Sequence, residues 1–552
     1  MKQFLYIKCV FIGLLGMSSV RADAQYNFGI ATSDWSGTSQ LYLNPAYIAD
    51  SRESYTIDIA SLNAGLYNNL GSLNSGGGRV ISALSKGNSS SVFDYSNSNT
   101  FSLLAPYAQI HGPGCMVTIN HKHSFALTTG ISGMNQFNNF NSSLYKIIDD
   151  SASAPAGNIN LTSQNFNYTA QVWAHIGLSY GGVVYEKGHH QIKVGATLRY
   201  LDGLGYIGLK GKNLDAHYVS GNDSVFVNKS DIEFASNVLS TQGAVFNGVS
   251  NNNFLSEFLG AKSGSGVGGD IGVVYEYIQD TTAGWYDHDG KTDIDRTKNR
   301  YKLRLSAAVR DIGYITYKSA NNSNFEVTGN GYITGHGLSD SVTNYQNFRT
   351  YALEHGFTAD TSHQNTKVHQ PTALVLGADY NIYQRYYVNV TFVGNLVNRQ
   401  QFGTSYYDQL TITPRFDSRD LSIGLPISYN SLAHNVMLGV GVRYRGFFIG
   451  SDDMLALFFK HQFGFNFYFG GCVPMYKILP KGSTVHYSAP PEPDMEHGGR
   501  ADTLEIDNCP DVLDFSMAAP VINKTNIIVQ KAPTDIDSFT DPKKNTDFYR
   551  QN

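Results

Sequence analysis

The chain has 552 residues, a formal net charge of −5 and only 15% charged residues, so it offers no basic surface of the kind that binds nucleic acid. Its 36 tyrosines, 31 phenylalanines and 55 glycines, against 3 tryptophans, suit extended structure better than helix. Beyond the N-terminus no apolar run reaches the roughly 18 residues of a spanning helix. This excludes a helical membrane protein but leaves a membrane barrel open, because barrel strands show only alternation.

The first 24 residues predict a secretory signal peptide. Lys2 and Lys8 supply the positive start, the stretch CVFIGLLGMSSV supplies the apolar core, and Ala22-Asp23-Ala24 forms a cleavage site of the A-x-A type. The apolar stretch is too short to span a membrane comfortably, which argues against an N-terminal anchor.

Three cysteines follow the signal peptide. An exported chain meets an oxidising compartment, so Cys472 and Cys509 form a possible disulfide. Cys115 makes the count odd, and the pairing stays open. The cysteine spacing is not typical of a metal site, and we expect neither a metal nor a cofactor.

Residues 55–474 alternate between apolar and polar side chains in many segments. In the segments 191–201, 300–310 and 434–444, the apolar set faces one way and Lys, Arg, Gly or Thr face the other. This period of two is that of a strand. The polar face predicts a hydrated lumen with a charge network, whose members are Lys193, Arg199, Asp270, Lys302, Arg304, Arg310, Asp311, Arg443 and Arg445.

These segments predict an all-β, transmembrane antiparallel barrel of about 14 strands. The strands have roughly ten residues or more, which matches a tilted crossing of the hydrocarbon layer. Long polar connections at 69–100, 136–165, 202–265 and 318–369 alternate with short turns, as extracellular loops alternate with periplasmic turns in outer-membrane barrels. The connection 278–299 is too long for that rule. A soluble sandwich is the alternative, and the strand length, aromatic strand ends and charged inner face argue against it.

An Asp-Ile-Gly occurs in two consecutive strands, at Asp270 and at Asp311. Asp311 breaks the alternation, because it would face lipid if the register continued after Arg310. Either a bulge at Asp311-Ile312-Gly313 turns the carboxylate inward, or Gly313 marks a kink where the strand leaves the membrane. We expect salt bridges in the lumen here, and the two copies to lie side by side.

Residues 475–552 are polar and proline-rich, with the stretch SAPPEPD and no sustained alternation. They predict a partly disordered periplasmic tail. Such a tail could bind a periplasmic or secretion-system protein.

Three catalytic or binding motifs fit strands and turns better than active sites. Ser179 lies in a G-x-S-x-G motif, and residues 264–269 match G-x-G-x-x-G, but strands continue or follow where a helix is required. Residues 287–295 resemble a calcium loop only loosely. The paired histidines at 121–123 and 189–190 lie in predicted turns without a third ligand. We therefore predict that the protein is not an enzyme.

Several short segments together resemble a family of Bacteroidota outer-membrane barrels of unassigned function. That family is similar in style to the long-chain fatty-acid transporter barrels and to the shuttle barrel of the type IX secretion system. The resembling residues are Trp35 and Gly37, then Asn44, Pro45 and Ala46, the two Asp-Ile-Gly strands, Pro371 and the stretch FNFYFGG.

The resemblance implies an N-terminal segment, residues 25–54, that enters or plugs the barrel, with Pro45 fixing φ at the entry turn. It also implies either lateral exit of a hydrophobic ligand or a role in passing exported proteins. Two hypotheses arise for this outer-membrane protein of a Gram-negative bacterium. One is a transport or secretion-associated barrel with an occluded lumen, and the other is a structural anchor whose tail binds a partner protein or the cell wall.

Overall fold

A computed structural model describes most of the chain before residue 487. The described residues are 26–69, 71–73, 93–95, 101–141, 157–220, 224–237, 264–318, 324–334, 345–362, 365–432, 435–459, 463–477, 480 and 483–486. The predicted signal peptide, Cys509 and nearly all of the predicted tail lie outside these residues. The chain divides into two compact units, residues 1–505 and 506–552, and every described residue belongs to the first.

The first unit consists mainly of β-strands. These are β1 Tyr55–Asn68, β2 Gly71–Leu73, β3 Phe93–Tyr95, β4 Phe101–His111, β5 Gly114–Thr118, β6 His123–Asn141, β7 Ile159–Lys187, β8 His190–Val219, β9 Ser224–Ser236, β10 Gly264–Ile278, β11 Trp285–His288, β12 Lys291–Ile294, β13 Tyr301–Tyr317, β14 Asn324–Thr334, β15 Thr358–Ser362, β16 Thr366–His369, β17 Ala373–Tyr383, β18 Tyr386–Asn395, β19 Gln409–Asp417, β20 Leu421–Gly424, β21 Ile427–Asn430, β22 Asn435–Leu438, β23 Val440–Tyr444, β24 Phe447–Ser451, β25 Gly464–Met475 and β26 Thr484–Val485. The helices are α1 Phe28–Ala31, α2 Tyr345–Glu354 and α3 Met454–Phe458, with 3₁₀ helices η1 Gly37–Tyr42 and η2 Pro45–Ile48.

The strands form a closed antiparallel barrel with 14 strands in its wall. Neighbours along the chain pair with each other, and β1 pairs with β25 to close the ring, with Tyr55 opposite Met475. Four wall strands are each made of two consecutive segments, namely β4 with β5, β16 with β17, β20 with β21 and β22 with β23. Closure leaves the wall no free edge, so its backbone groups can bond from strand to strand in lipid. The predicted fold class is confirmed.

The two faces of the wall have the polarity of a barrel in a membrane. In β8, Leu198 and Tyr200 are 64% and 55% exposed, whereas Lys193 and Arg199 are 4% and 7% exposed. Apolar side chains therefore point outward and polar ones inward, which is the reverse of a soluble core. The outward face is a surface for lipid hydrocarbon. No described helix is long and apolar enough to cross a membrane.

Exposed aromatic side chains gather at the barrel end that carries the short turns. Tyr383 and Tyr386 flank one such turn, and Tyr444 and Phe447 flank another. Aromatic rings concentrate at this level in membrane barrels, where one part of the ring is in lipid and another meets water. We call this end of the barrel the turn end and the opposite end the loop end.

Parts of the predicted long loops are strands. β7 and β8 continue beyond the barrel at its loop end, and β9, β14 and β15 add to this extension. Its core contains Phe166, Tyr218, Phe234 and Phe325, and Ala352 of α2 packs against them. The prediction of loops over 136–165, 202–265 and 318–369 was wrong in these parts, because those segments alternate less regularly than the wall strands do.

The long connection at 278–299 contains the hairpin β11–β12. This hairpin pairs with β26, with Tyr286 opposite Val485, and Nε2 of His486 lies 2.9 Å from Oδ2 of Asp287. The exception to the short-turn rule therefore has a structural role, because it holds the chain just after the barrel has closed.

Candidate functional site in the barrel lumen

Residues 26–54 lie inside the barrel and are called the plug. Helix α1 contacts β19, β20, β23 and β24, whereas η2 contacts β7, β8 and β10. The plug therefore touches walls on different sides of the lumen. Among its side chains Phe28, Ile30, Leu43 and Ile48 are all 2% exposed or less.

Three wall glycines form a seat for η2. Gly181, Gly195 and Gly272 lie in one row across β7, β8 and β10, each opposite the next. A Cβ at Gly195 would overlap the backbone of Pro45 and Ala46, one at Gly272 would overlap the side chain of Asn44, and one at Gly181 would overlap Ile48 and Ala49. The close approach of wall and plug requires glycine in this row.

Two further wall glycines form a seat for α1. Gly424 and Gly441 lie opposite each other in β20 and β23, and a Cβ on either one would overlap Gly29. The carboxylate of Asp452 accepts hydrogen bonds from the backbone amides of Phe28 and Gly29, at 3.1 and 3.2 Å. The first turn of the plug is therefore held by backbone contacts as well as by side chains.

Asp34 is the main ionic anchor of the plug. Its Oδ1 accepts a hydrogen bond of 2.6 Å from Nη1 of Arg304 in β13, and its Oδ2 accepts one of 3.2 Å from Nε of Arg52. Burial opposes ionisation of this carboxyl, but the guanidinium groups of Arg304 and Arg52 prevail and lower its pKa. Asp34 is thus a buried anion held between a wall strand and the plug's own end.

The anchor belongs to a larger network. Arg304 also donates to Glu276, which in turn pairs with Lys193 at 3.0 Å. On the other side, Arg415 donates to both carboxylate oxygens of Asp379 at 2.8 and 2.6 Å. The hydroxyl of Tyr301 lies 2.8 Å from Oδ2 of Asp379 and 3.2 Å from Oδ1 of Asp34, and it joins the two halves.

Glu53 is the penultimate residue of the plug and lies near the turn end. It is fully buried, and Oε2 accepts a hydrogen bond from the hydroxyl of Thr56. Burial raises the pKa of Glu53 to about 7, against the lowering effects of Thr56 and Arg443. In the loop after β24, burial likewise raises the pKa of Asp452 to about 6. Burial thus shifts both carboxyl groups toward the protonated form.

The two Asp-Ile-Gly copies meet at a β-bulge. Asp270 lies opposite both Arg310 and Asp311, since the β10–β13 register shifts between Gly269 and Ile271. Asp311 adopts φ +52, and its amide donates to Oδ1 of Asp270 at 2.7 Å. The bulge turns the Asp311 carboxylate inward, where Arg199 donates to Asp270 at 2.9 Å and to Asp311 at 2.8 Å.

Residues 396–408, between β18 and β19, fold into the lumen from the loop end and are called the inner loop. Gln136 donates to Ser405 O at 3.0 Å and accepts from Ser405 N at 2.8 Å. Gln171 donates to the hydroxyl of Thr404 at 2.7 Å. The chain here bonds to lumen side chains, and β19 begins only at Gln409. The plug thus joins the wall at the turn end, where β1 begins, and the inner loop joins it at the loop end.

Two residues of the predicted charge network do not face the lumen. Lys302 donates to Ile382 O and lies over the ring of Tyr380 on the outer face, because a register shift near Tyr301 reverses its side. Arg445 occupies a turn with φ +53, and its side chain is 70% exposed. Arg443 does point inward, but its guanidinium donates to Ser422 and to backbone carbonyls. The other six predicted residues lie in the lumen networks.

The residues of the predicted N-terminal motif hold the shape of the plug. Asn44 caps η2 by accepting from Ala46 N, and Pro45 takes the first helical position. Trp35 packs edge-on against Tyr476 at 5.5 Å. Gly37 has φ +53, and Glu53 and Thr56 lie against it.

Cys472 lies in β25, next to the register shift of β1. The proposed pairing with Cys509 involves a residue outside the described part of the chain. Ser179 lies within β7 and shares a hydrogen bond of 2.9 Å with Thr197, as expected of a strand serine. In the described residues no group of three His, Cys, Asp or Glu is placed to hold a metal ion.

Sequence reasoning missed Asp34, Asp379 and Arg415. Arg415 lies in the alternating segment QLTITPRFD and could have been assigned to the inner face by parity. Asp34 lies in no periodic segment, so its partner could be found only from the three-dimensional structure.

The model of one sequence family matches residues 45–452 of the chain. The chain belongs to DUF5723, a family of unknown function. The match to DUF5723 covers η2 and the wall as far as Asp452. It therefore includes the wall glycines of both seats, whereas Gly29 of the plug lies before it. No curated protein matches the sequence.

Several solved barrels share a weak likeness with this member of DUF5723. The toluene transporter TbuX of Ralstonia pickettii is 10% identical with a TM-score of 0.36, over 83% of this chain and 99% of that chain. The toluene transporter TodX of P. putida is 11% identical with a TM-score of 0.35, over 80% and 95%. A FadL homologue of Pseudomonas aeruginosa is 11% identical with a TM-score of 0.25, over 83% and 99%. Likeness at this level carries no functional conclusion.

Proposed function

We propose that the protein is a non-enzymatic transport barrel of the outer membrane whose lumen is closed at rest by the plug and the inner loop. The observation that carries this proposal is the way the plug is held. Apolar side chains of the plug such as Ile30 and Ile48 pack on the wall. Beside them, the plug makes ion pairs, hydrogen bonds and backbone contacts on glycine, centred on Asp34, Asn44 and Gly29. Water can replace the polar contacts, which lowers the free-energy cost of moving the plug from its seat.

The lumen wall supports the same proposal. Its inward side chains remain polar where the plug covers them, as Lys193, Arg304 and Asp379 show. A barrel that served only as a scaffold could fill its interior with apolar residues, which would avoid the cost of buried charges. Polar walls are suited to a lumen that is hydrated at some stage.

The orientation that we propose places the turn end in the periplasm and the loop end outside. Periplasmic turns are short and extracellular connections long in barrels of the outer membrane. The chain leaves the barrel after Met475 at the turn end, beside the hairpin β11–β12, so the tail would begin in the periplasm. The secretion-associated role and the bacterial lineage remain predictions from the sequence.

Conductance measurements test the transport function. Four proteins are reconstituted in planar bilayers: the full chain, the chain without residues 25–50, the chain with residues 399–406 replaced by a short Gly-Ser linker, and the double variant. We expect the full chain to pass no measurable current and the double variant to have the highest conductance, because the plug and the inner loop each obstruct the lumen. Circular dichroism and the mobility shift on heating check that each barrel is folded.

A folded double variant that stays closed would contradict the transport function. A matched control replaces an outer segment of similar length, residues 284–292 of the β11–β12 connection, by the same kind of linker. This control should remain as closed as the full chain, since that connection lies at the turn end and bonds to β26.

The anchor hypothesis keeps one observation in its favour. Residues 483–486 are fixed to the β11–β12 hairpin by strand pairing and by the contact of His486 with Asp287. The barrel therefore presents the next residues from a defined point. Capture of periplasmic proteins or peptidoglycan by residues 487–552 tests this second function, and a tail that binds neither would count against it.

A further inference from the structure

The outer face of the barrel changes from apolar to polar at one level near the loop end. On β13 the outward side chains are apolar or aromatic from Leu305 to Tyr314, and Ile312 and Tyr314 are 40% and 49% exposed. In the row that contains Tyr314, Tyr200 of β8 lies opposite Val267 of β10, and Val267 lies opposite Tyr314. Aromatic rings mark the edge of the hydrocarbon layer, so lipid head groups begin just beyond this row.

The next row toward the loop end is polar. It runs from Asp202 in β8 through Ser265 in β10 and Thr316 in β13 to Lys367 in β16, each opposite the next. Lys318 follows two residues after Thr316 and is exposed, so alternation places it on the same outer face. Two lysines therefore lie at the level of the lipid head groups.

The side chain of Lys367 reaches back toward the aromatic row. Its Nζ lies 5.0 Å from the centroid of the Tyr314 ring, which is a cation–π contact. The ammonium group is thus held at the edge of the hydrocarbon layer. Because diagonal neighbours on adjacent strands are roughly 7–8 Å apart, Lys318 and Lys367 can both reach one ion between them.

No described carboxylate balances these two charges. Among the residues that the structure describes, neither ammonium group has an acidic side chain within ion-pair distance. Asp202 stands three strands from Lys367, which is roughly 14 Å at about 4.8 Å per strand. Like charges on neighbouring strands repel each other, so an anion between Lys318 and Lys367 is favoured.

The surroundings favour a phosphate that is attached to a lipid. The apolar row of Val267 and Tyr314 lies directly beside the lysines, and acyl chains pack against such a row. A free phosphate ion would gain nothing from these side chains. Thr316 and Asn365 lie on the same outer face and supply a hydroxyl and an amide for further oxygens of the head group.

We propose that this surface binds the phosphate of a phosphorylated glycolipid in the leaflet at the loop end. The surface consists of Thr316, Lys318, Asn365 and Lys367 and is called the lysine patch. Lys318 and Lys367 donate to the phosphate, Thr316 and Asn365 bond to the sugar, and an acyl chain lies along Tyr314. The choice of a glycolipid rests on the orientation given under the proposed function, because such lipids form the outward leaflet of a Gram-negative outer membrane.

Native mass spectrometry of the full-length barrel in detergent tests the lysine patch. The probes are lipid A, the same lipid A after removal of its phosphates, phosphatidylglycerol and inorganic phosphate. We expect lipid A to bind, and each of the other three to bind at least about tenfold more weakly. Equal binding of dephosphorylated lipid A or of inorganic phosphate would overturn the recognition of a lipid phosphate. Tighter binding of phosphatidylglycerol would overturn the glycolipid assignment.

Substitutions connect binding to the two lysines. Lys318→Gln and Lys367→Gln should each weaken lipid A binding about fivefold, and the variant with both changes about twentyfold or more. Lys302→Gln is the matched control, since Nζ of Lys302 also lies 5.0 Å from a tyrosine ring, that of Tyr380, but at the turn end. Combining it with Lys122→Gln matches the loss of two charges. Equal weakening in these controls would reduce the effect to net charge and overturn the site.

Lipid binding and conductance can fail separately. A barrel that binds lipid A through the lysine patch, but stays closed without its plug and inner loop, would keep the site and refute transport. A barrel that conducts without these segments, but binds lipid A equally well after both lysine substitutions, would keep transport and refute the site.

Discussion

The carboxylate of Asp34 in the plug accepts a hydrogen bond of 2.6 Å from Arg304, a wall residue 270 positions further along the chain. Both side chains are buried, with side-chain exposures of 3% and 12%. A buried charge that loses its partner is destabilised much more than an exposed one. The contact therefore links the position of the plug to the integrity of the wall.

The first prediction concerns the plug side of this contact. Asp34→Asn leaves the guanidinium groups of Arg304 and Arg52 without their shared anion, so the plug should open more often. We expect the amides of residues 28–50 to exchange hydrogen at least about tenfold faster, as measured by mass spectrometry. Asp420→Asn, in an exposed turn, is the matched control and should leave these rates unchanged. Equal protection of the plug in the Asp34 variant would refute its role as an anchor.

The second prediction concerns the wall side. Arg304→Gln should lower the free energy of unfolding by about 3–5 kcal/mol, because Asp34 and Glu276 would remain buried with fewer partners. Lys302→Gln, only two residues away, should change it by less than about 1 kcal/mol, since Lys302 lies on the outer face. Denaturant titration of the refolded barrel measures both. Similar losses in the two variants would contradict the placement of Lys302 outside the lumen.

The third prediction uses the glycine seat of η2. Gly195→Val adds side-chain atoms where the backbone of Pro45 and Ala46 lies. The plug should therefore be displaced, while the strand pairing of the barrel wall stays intact. We expect faster proteolysis within residues 26–54 and a higher single-channel conductance. Gly133→Val is the control, because a Cβ at Gly133 meets its nearest neighbour at an ordinary 3.5 Å. A Gly195 variant with a protected plug would show that the seat can adapt.

The fourth prediction concerns pH. Burial raises the pKa of Glu53 from 4.5 to about 7. Below pH 4.5 the carboxyl is protonated in both states, and between 4.5 and 7 only the unfolded state ionises, so stability should fall as the pH rises through this range. Above pH 7 both states are ionised, and the free energy of unfolding no longer changes with the ionisation of Glu53.

Glu53→Gln tests this pH dependence, because the amide stays neutral and can still accept from Thr56. The midpoint of thermal unfolding should rise at pH 8, change little at pH 4, and vary less between the two. Part of the variation should remain, since the raised pKa of Asp452 acts in the same direction. Glu354→Gln, on the exposed side of α2, is the control. A parallel fall with pH in wild type and Glu53→Gln would exclude Glu53 as the source.

The bulge at Asp311 shows how far the sequence reaches into the site. The alternation in KLRLSAAVR identifies the position where the pattern breaks, and the chemistry of Asp indicates that it must turn inward. The sequence could not distinguish a bulge from a kink, because the choice depends on which residue of β10 lies opposite Asp311. The register places Asp270 against both Arg310 and Asp311, and that pairing decides it.

Lys302 and Arg445 are two residues whose position the sequence predicted wrongly. Parity along the strand assigned both to the lumen, but a register shift near Tyr301 and a turn at Arg445 reverse them. A one-residue shift of register reverses the side chains on one side of it, here Lys302 but not Arg304. Local deviations of this kind arise from the fit between neighbouring strands and leave little trace in composition.

The sequence by itself determined the barrel and the polarity of its two faces, because successive side chains of a strand point to opposite sides and each face must suit its solvent. Only the tertiary structure shows that the plug and the inner loop lie inside the wall and which residues they contact. Asp34 meets Arg304, and Gln136 meets Ser405, only after the ring closes and brings distant segments together. Such contacts depend on the volume left inside the wall, and a periodic pattern contains no information about that volume.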